Sequence, residues 1–128
     1  MSIDFKSTKA IFLQIADNIC QRILDGTLHK GDRIPSVRDL AAEFEVNRNT
    51  VLRTCALLDE SGVFENRRGI GFFVSENALQ VIQKREREAF FRDDLPQFIN
   101  KVKLLQLNLS EITELTNVIN NIHHNESK

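Results

Sequence analysis

The sequence predicts a mainly α-helical chain with one small β-hairpin, three helices before the hairpin and a short helical segment after it. Apolar residues recur at helical spacing on both sides of a stretch, VFENRRGIGFFV, that alternates strand formers with a glycine-bearing turn. The strongest punctuation, DGTLHKGDRIPS between Asp25 and Ser36, excludes a regular helix there. A length of 128 residues fits one domain, or one small domain with an appendage.

Taken in order, Phe12, Ile15, Ala16, Ile19, Cys20 and Ile23 define an amphipathic helix over residues 9–25, ended by Gly26. Ser36 is a candidate N-cap for a short helix from Val37 to Phe44, with Asp39 placed to reach back in a capping box. Asn47 is a second N-cap, opening a helix that runs to about Ser61, stops at Gly62 and turns Val51, Cys55 and Leu58 inward. Residues 63–65 and 71–74 then pair as a hairpin, with Asn66, Arg67, Arg68 and Gly69 between them. Three helices and a hairpin outline a winged helix-turn-helix over residues 1–75. Residues 76–128 form a second, helical domain. Its stripe of Leu79, Ile82, Phe90 or Phe91, Leu95, Phe98, Ile99, Val102 and Leu105 is interrupted at Asp93-Asp94-Leu95-Pro96, where Pro96 suits the first turn of a new helix capped by Asp93 or Asp94. Asn108 or Ser110 caps a last helix bearing Ile112, Leu115, Ile119 and Ile122, and the tail HHNESK is expected to fray.

Composition narrows the chemistry. Residues 1–76 hold 10 Lys and Arg against 11 Asp and Glu, and residues 77–128 hold 7 of each. Nucleic-acid binding would therefore require the cations to be gathered on one face. Cys20 and Cys55 have no metal-ligand or redox spacing and read as small reduced side chains. The N-terminus MSIDFKSTK lacks an apolar signal core, and no apolar run approaches the ~20 residues of a membrane span. The expected location is the cytoplasm, with no membrane partner. No nucleophile set, phosphate loop or dinucleotide fingerprint is present, so an enzyme is disfavoured and no cofactor is expected. His123 and His124 are adjacent on the tail and read as solvated rather than as metal ligands. The mixed-charge KREREAFFR is a helix surface.

The span IPSVRDLAAEFEVNRNTVLRTCALLDESGVFENRRGIGFFV resembles the GntR family of bacterial transcription factors. It carries that family's PS-x-R, LA, N-T-V, L-x-x-x-G and RRG-x-G-x-FV elements in linked spacing, and the resemblance covers about residues 8–75. Helix geometry points the same way. Capping by Asn47 puts Arg48, Asn49 and Thr50 in a first turn whose N–H groups and dipole suit a phosphate. Arg48 is the candidate for a guanine edge and Arg53 for a phosphate. Asn49 either reads adenine or holds the backbone, and Thr50 either joins it or is used in capping. The resemblance implies that Arg38, beside Ser36 at the start of the preceding helix, faces DNA. It also implies that Arg67, Arg68 and Gly69 bring the wing to a minor groove, where Gly69 would allow close backbone approach. The competing readings are local: Arg38 paired with Asp39 or Glu43, Arg53 with Asp59 or Glu60, and glycines serving only the hairpin. Leu52 departs from the basic or polar residue common one turn along such a helix; contact to a thymine methyl is its functional alternative.

About 50 residues follow the wing, too few for the large effector domains of most GntR groups. REAFFRDDLPQFINKVKLLQLNLSEITEL is similar to the helical appendage of the YtrA-type subgroup, which implies homodimerisation and transporter genes as regulatory targets. Phe90, Phe91, Leu95, Phe98, Ile99, Val102 and Leu105, with Leu104, Leu107 and Leu109, exceed what two short helices can bury, so a twofold partner is expected. Alternatively, part of the stripe packs onto Phe12 or Leu57. A small-molecule effector between the two domains is conceivable, as is a filled junction with control by abundance alone. The function expected is a sequence-specific repressor binding double-stranded DNA as a homodimer. The alternative is a winged-helix protein-interaction module, which a salt titration of DNA binding separates from it.

Overall fold

A computed structural model describes residues 9–126, with side chains as far as Ile122. The segment read above for a signal core lies outside these residues except for Lys9, and the side chains of His123 and His124 lie outside them as well.

Helix α1 spans Ile11–Leu24, starting without a side-chain cap: Ala10 carbonyl accepts from the amides of Leu13 and Gln14. It ends as expected at Gly26, whose φ of 85° only glycine adopts at no steric cost. Helix α2 spans Val37–Phe44 and is capped by Ser36, whose hydroxyl accepts from the Asp39 amide at 3.0 Å. Among the described residues no return bond from the Asp39 carboxylate forms; the shorter acid replaces the usual Glu. Glu45 then takes a left-handed conformation (φ 56°, ψ 48°), which costs a non-glycine residue roughly 1–2 kcal/mol. Its neighbour Val46 offsets this by donating to Ala41 carbonyl and packing against the core. Helix α3, Arg48–Glu60, follows directly from the Asn47 cap.

The hairpin pairs β1 (Phe64–Arg67) with β2 (Gly71–Val74) in the register Phe64↔Val74 to Arg67↔Gly71. Both strands fall near their expected places, but the tip is Arg68-Gly69-Ile70, so Arg67 ends a strand instead of sitting in the turn. The free edge of β2 is also covered. Gly31 and Ile34 amides donate to Val74 and Phe72 carbonyls, Val74 amide donates to Asp32 carbonyl, and Arg33 bridges Phe73. The stretch read from sequence only as a turn thus supplies a third strand-like edge, and covering β2 this way satisfies its backbone groups.

The core joins Ile15, Ile19 and Ile23 of α1, Leu40 of α2, Val51, Cys55 and Leu58 of α3, and Val63, Phe64 and Val74 of the wing. Helix α4 (Ala78–Ala89) adds Ala78 and Ile82 to it. The first compact unit consequently extends through Arg87, beyond the 75/76 boundary expected from the end of the hairpin.

The second unit begins at Glu88. The interruption expected at Asp93–Pro96 takes the form of a π-helical turn, and Pro96 does lie in the first turn of a following helix, but neither aspartate caps that helix. Phe90–Asp94 form a π-helical turn, Asp94 is helical and caps nothing, and α5 (Leu95–Leu104) continues from it. Pro96 has no N–H and its ring would strike the carbonyl four residues back. The wider turn, in which Leu95 amide reaches Phe90 carbonyl, absorbs this and keeps the chain helical. Helix α6 (Leu109–Glu126) starts from a reciprocal capping box, Asn108 side chain to Glu111 amide and Glu111 carboxylate to Asn108 amide, both 2.9 Å, and stays helical to Glu126. No residue from Glu88 to Ile122 is buried.

Candidate nucleic-acid interface

The helix-turn-helix is set by two caps and one long-range tie. Asn47 Oδ1 accepts from the Thr50 amide at 2.9 Å and from the Thr50 hydroxyl at 3.1 Å. Thr50 is therefore used in capping, and the three residues opening α3 are fixed in a helical turn. Thr54, the one buried polar residue among those described, donates its hydroxyl to Phe12 carbonyl at 2.8 Å, with Thr50 carbonyl at 3.2 Å. This bond aligns α3 against the first turn of α1.

Viewed down α3, Val51, Thr54, Cys55 and Leu58 face the core, and Arg48, Asn49, Leu52, Arg53 and Ala56 are exposed. The local pairings that would neutralise the arginines are not made. Glu43 bonds to Arg22 of α1, whose guanidinium also lies 5.5 Å from the Phe44 ring, and not to Arg38. Arg53 lies over the Phe12 ring at 3.9 Å, away from Asp59 and Glu60. A guanidinium stacked this way keeps its edge N–H groups available. Among the described residues no carboxylate pairs with Arg38, Arg48 or Arg68.

The wing divides its two arginines. Arg67 is held over the Phe73 ring at 4.0 Å and paired with Glu65 at 3.3 Å, so its charge is partly satisfied within the sheet. Arg68 stands at the tip beside Gly69, whose φ of 79° makes the three-residue turn possible. Arg33, which sequence reasoning passed over as part of a turn, donates from Nη2 to Ile70 carbonyl at 2.7 Å and lies against Gly71. It ties the segment preceding α2 to the wing tip across 37 residues, a link no local signal announces.

In the second unit, Phe90, Phe91, Phe98, Ile99 and Leu105 are exposed, whereas Leu95 and Val102 are half-buried. The rings of Phe90 and Phe91 meet edge to face at 5.3 Å. Phe12 carries Arg53, and Leu57 packs on the first unit's own core. Burial pushes both thiols up to about 11, Cys20 and Cys55 alike, which keeps them protonated and inert. Among the described residues, no group of His, Cys, Asp and Glu side chains could hold a metal ion, and no helix is long and apolar enough to cross a membrane.

Comparison with known proteins agrees with this geometry. Residues 12–74 match the family described as bacterial regulatory proteins, gntR family. The HTH-type transcriptional regulator YhcF of Bacillus subtilis is 39% identical over 114 residues, 89% of this chain and 93% of that protein. The HTH-type transcriptional repressor YtrA of the same organism is 31% identical, covering 89% of this chain and 87% of that one. A crystal structure of a GntR-family transcriptional regulator from Bacteroides thetaiotaomicron is 37% identical with a TM-score of 0.69, covering 89% of this chain and 99% of that one. With its capped third helix, its wing and these relatives, the chain belongs to the GntR family of bacterial regulatory proteins, in the YtrA-type subgroup, as a DNA-binding transcriptional regulator and not an enzyme.

Proposed function

We propose that the protein is a homodimeric repressor that binds a pseudo-palindromic operator, with α3 in the major groove and the wing along the adjacent minor groove. The observation that carries this reading is the set of exposed guanidinium groups of Arg38, Arg48 and Arg68, left without carboxylate partners among the described residues in a chain of net charge −1. Ser36 caps the helix bearing Arg38, Asn47 and Thr50 fix the turn bearing Arg48 and Asn49, and Gly69 shapes the tip bearing Arg68. Arg48 reads a guanine edge, and Arg53, oriented by Phe12, contacts a phosphate. Arg67 supports the wing.

Dimerisation is assigned to residues from Glu88 onward. Phe90, Phe98, Ile99 and Leu105 are 45–63% exposed, an apolar surface that a second copy would cover. Twofold pairing sets two half-sites about one helical turn, roughly 34 Å, or a multiple of it apart. Repression is supported by similarity to YtrA, itself named a repressor; transporter genes as targets rest on the resemblance to the YtrA-type subgroup alone.

Selection of bound duplexes from a random pool tests the proposal: a palindrome is expected. On the selected duplex, Arg48→Ala should cost about 1–3 kcal/mol while leaving binding to random DNA nearly unchanged, whereas Arg53→Ala should weaken both alike. Equal loss on both duplexes for Arg48→Ala removes its base-reading role. Affinity that does not fall with rising salt favours a protein-interaction module instead.

A further inference from the structure

We infer that Leu52 is a specificity-determining residue that contacts the 5-methyl group of a thymine in the operator half-site. The inference rests on α3 being the reading helix, and it concerns a side chain for which the fold has no use. Leu52 is 49% exposed, while the neighbours that α3 contributes to the core, Val51 and Cys55, are at 0% and 1%. At about 100° per residue, Leu52 lies about 40° from Arg48 and inside the arc of about 100° that separates Arg48 from Asn49. It is one turn further along, a rise of about 6 Å. Whatever groove wall meets Arg48 and Asn49 therefore also meets Leu52. Arg53 lies outside this arc, on the flank where it stacks on Phe12.

Charge along the helix limits which turns enter the groove. The first two turns carry Arg48 and Arg53 and no acid, whereas Asp59 and Glu60 close the helix and would be repelled by phosphate. Leu52 falls within the cationic part. A branched aliphatic side chain there has no hydrogen bond to offer, and the apolar group exposed in the major groove is the thymine methyl. The next residue on the same side, Ala56, is small and lets the helix sit close.

The test uses the full-length protein and the duplex recovered by selection, with each thymine of one half-site replaced in turn by deoxyuridine, which keeps pairing and removes only the methyl. One thymine, a few base pairs from the guanine whose readout Arg48→Ala abolishes, should lose about fourfold in affinity on replacement, the effect of one buried methyl group. Leu52→Ala should bind the unmodified duplex correspondingly less well and show no further loss with deoxyuridine at that position. Leu52→Met should keep the deoxyuridine penalty. Because Leu52 is exposed and both replacements are good helix formers, the fold is retained. A flat deoxyuridine series for the wild-type protein, or an unchanged penalty in Leu52→Ala, overturns the assignment while leaving DNA binding intact. Failure to select any duplex overturns the reading of α3 itself.

Discussion

Replacing Thr54 by Val exchanges a hydroxyl in the interior of the helix-turn-helix for a methyl group of the same branched shape. Thr54 is 0% exposed, and its single hydroxyl proton is shared between Phe12 carbonyl at 2.8 Å and Thr50 carbonyl at 3.2 Å. The change therefore deletes one hydrogen bond, not two. Both acceptors lie in helices and keep their main-chain partners, so no buried group is orphaned. The substitution leaves no cavity, and Val and Thr differ little in helix propensity. The expected cost is about 1 kcal/mol, the net value of one internal hydrogen bond, well below the 2–5 kcal/mol of a large-to-small core substitution. The chain has no Trp or Tyr, so urea unfolding is best followed by far-UV circular dichroism. The midpoint should fall with the slope unchanged, and Tm should drop by roughly 4–8 °C if the first unit melts as a domain of under 100 residues. A variant as stable as the wild type would show that α3 is aligned on α1 by packing alone. A loss beyond about 3 kcal/mol would mean that the methyl group, held close to two carbonyl oxygens, also strains the packing of α3 on α1.

Three further outcomes are expected. Arg33→Ala and Arg68→Ala should each weaken binding to the selected duplex. If Arg33 acts by holding the wing tip through Ile70 carbonyl, the double variant should be no weaker than Arg68→Ala to within about 0.5 kcal/mol, and simple additivity would separate the two residues. Phe98→Asp, at a 49% exposed position, should keep the helical signal but shift sedimentation to the monomer and reduce operator affinity at least tenfold. An unchanged dimer would place the interface elsewhere. The thiols of Cys20 and Cys55, raised by burial from 9.0 to about 11, should alkylate slowly in the folded protein and quickly in urea. Between pH 9 and 11 the unfolded chain loses these protons first, so the stability linked to them is present below about pH 9 and lost as pH rises toward 11. A urea midpoint that rose across this window in wild type relative to the Cys20→Ala, Cys55→Ala variant would contradict that sign.

Much of the fold and site was legible in the chain because it depends on neighbours within four residues. Ser36 and Asn47 each cap the helix whose third residue donates to them, and Gly26, Gly62 and Gly69 mark turns that need positive φ. Apolar spacing of 3.6 placed α1 and α3, and the exposed Arg48 and Asn49 follow from the Asn47 cap alone. Features set by distant chain were not legible. Arg33 meets Ile70 carbonyl, and Thr54 meets Phe12 carbonyl, across separations of 37 and 42 residues. Arg53 stacks on Phe12, since α1 happens to lie alongside, and β2 gains a third strand-like edge from a stretch rich in turn formers. Asp-Asp-Leu-Pro spells a capped helix start by local rules, and Pro96 does sit in the first turn of α5, yet no side chain caps it and a π-helical turn joins it to α4. Ala78 and Ile82 are buried in the first unit's core, although Ile82 reads in sequence as part of the stripe of the second. Local hydrogen-bond geometry thus specified α3 and the wing. Packing between segments far apart in the chain decided how they are held and where the unit ends.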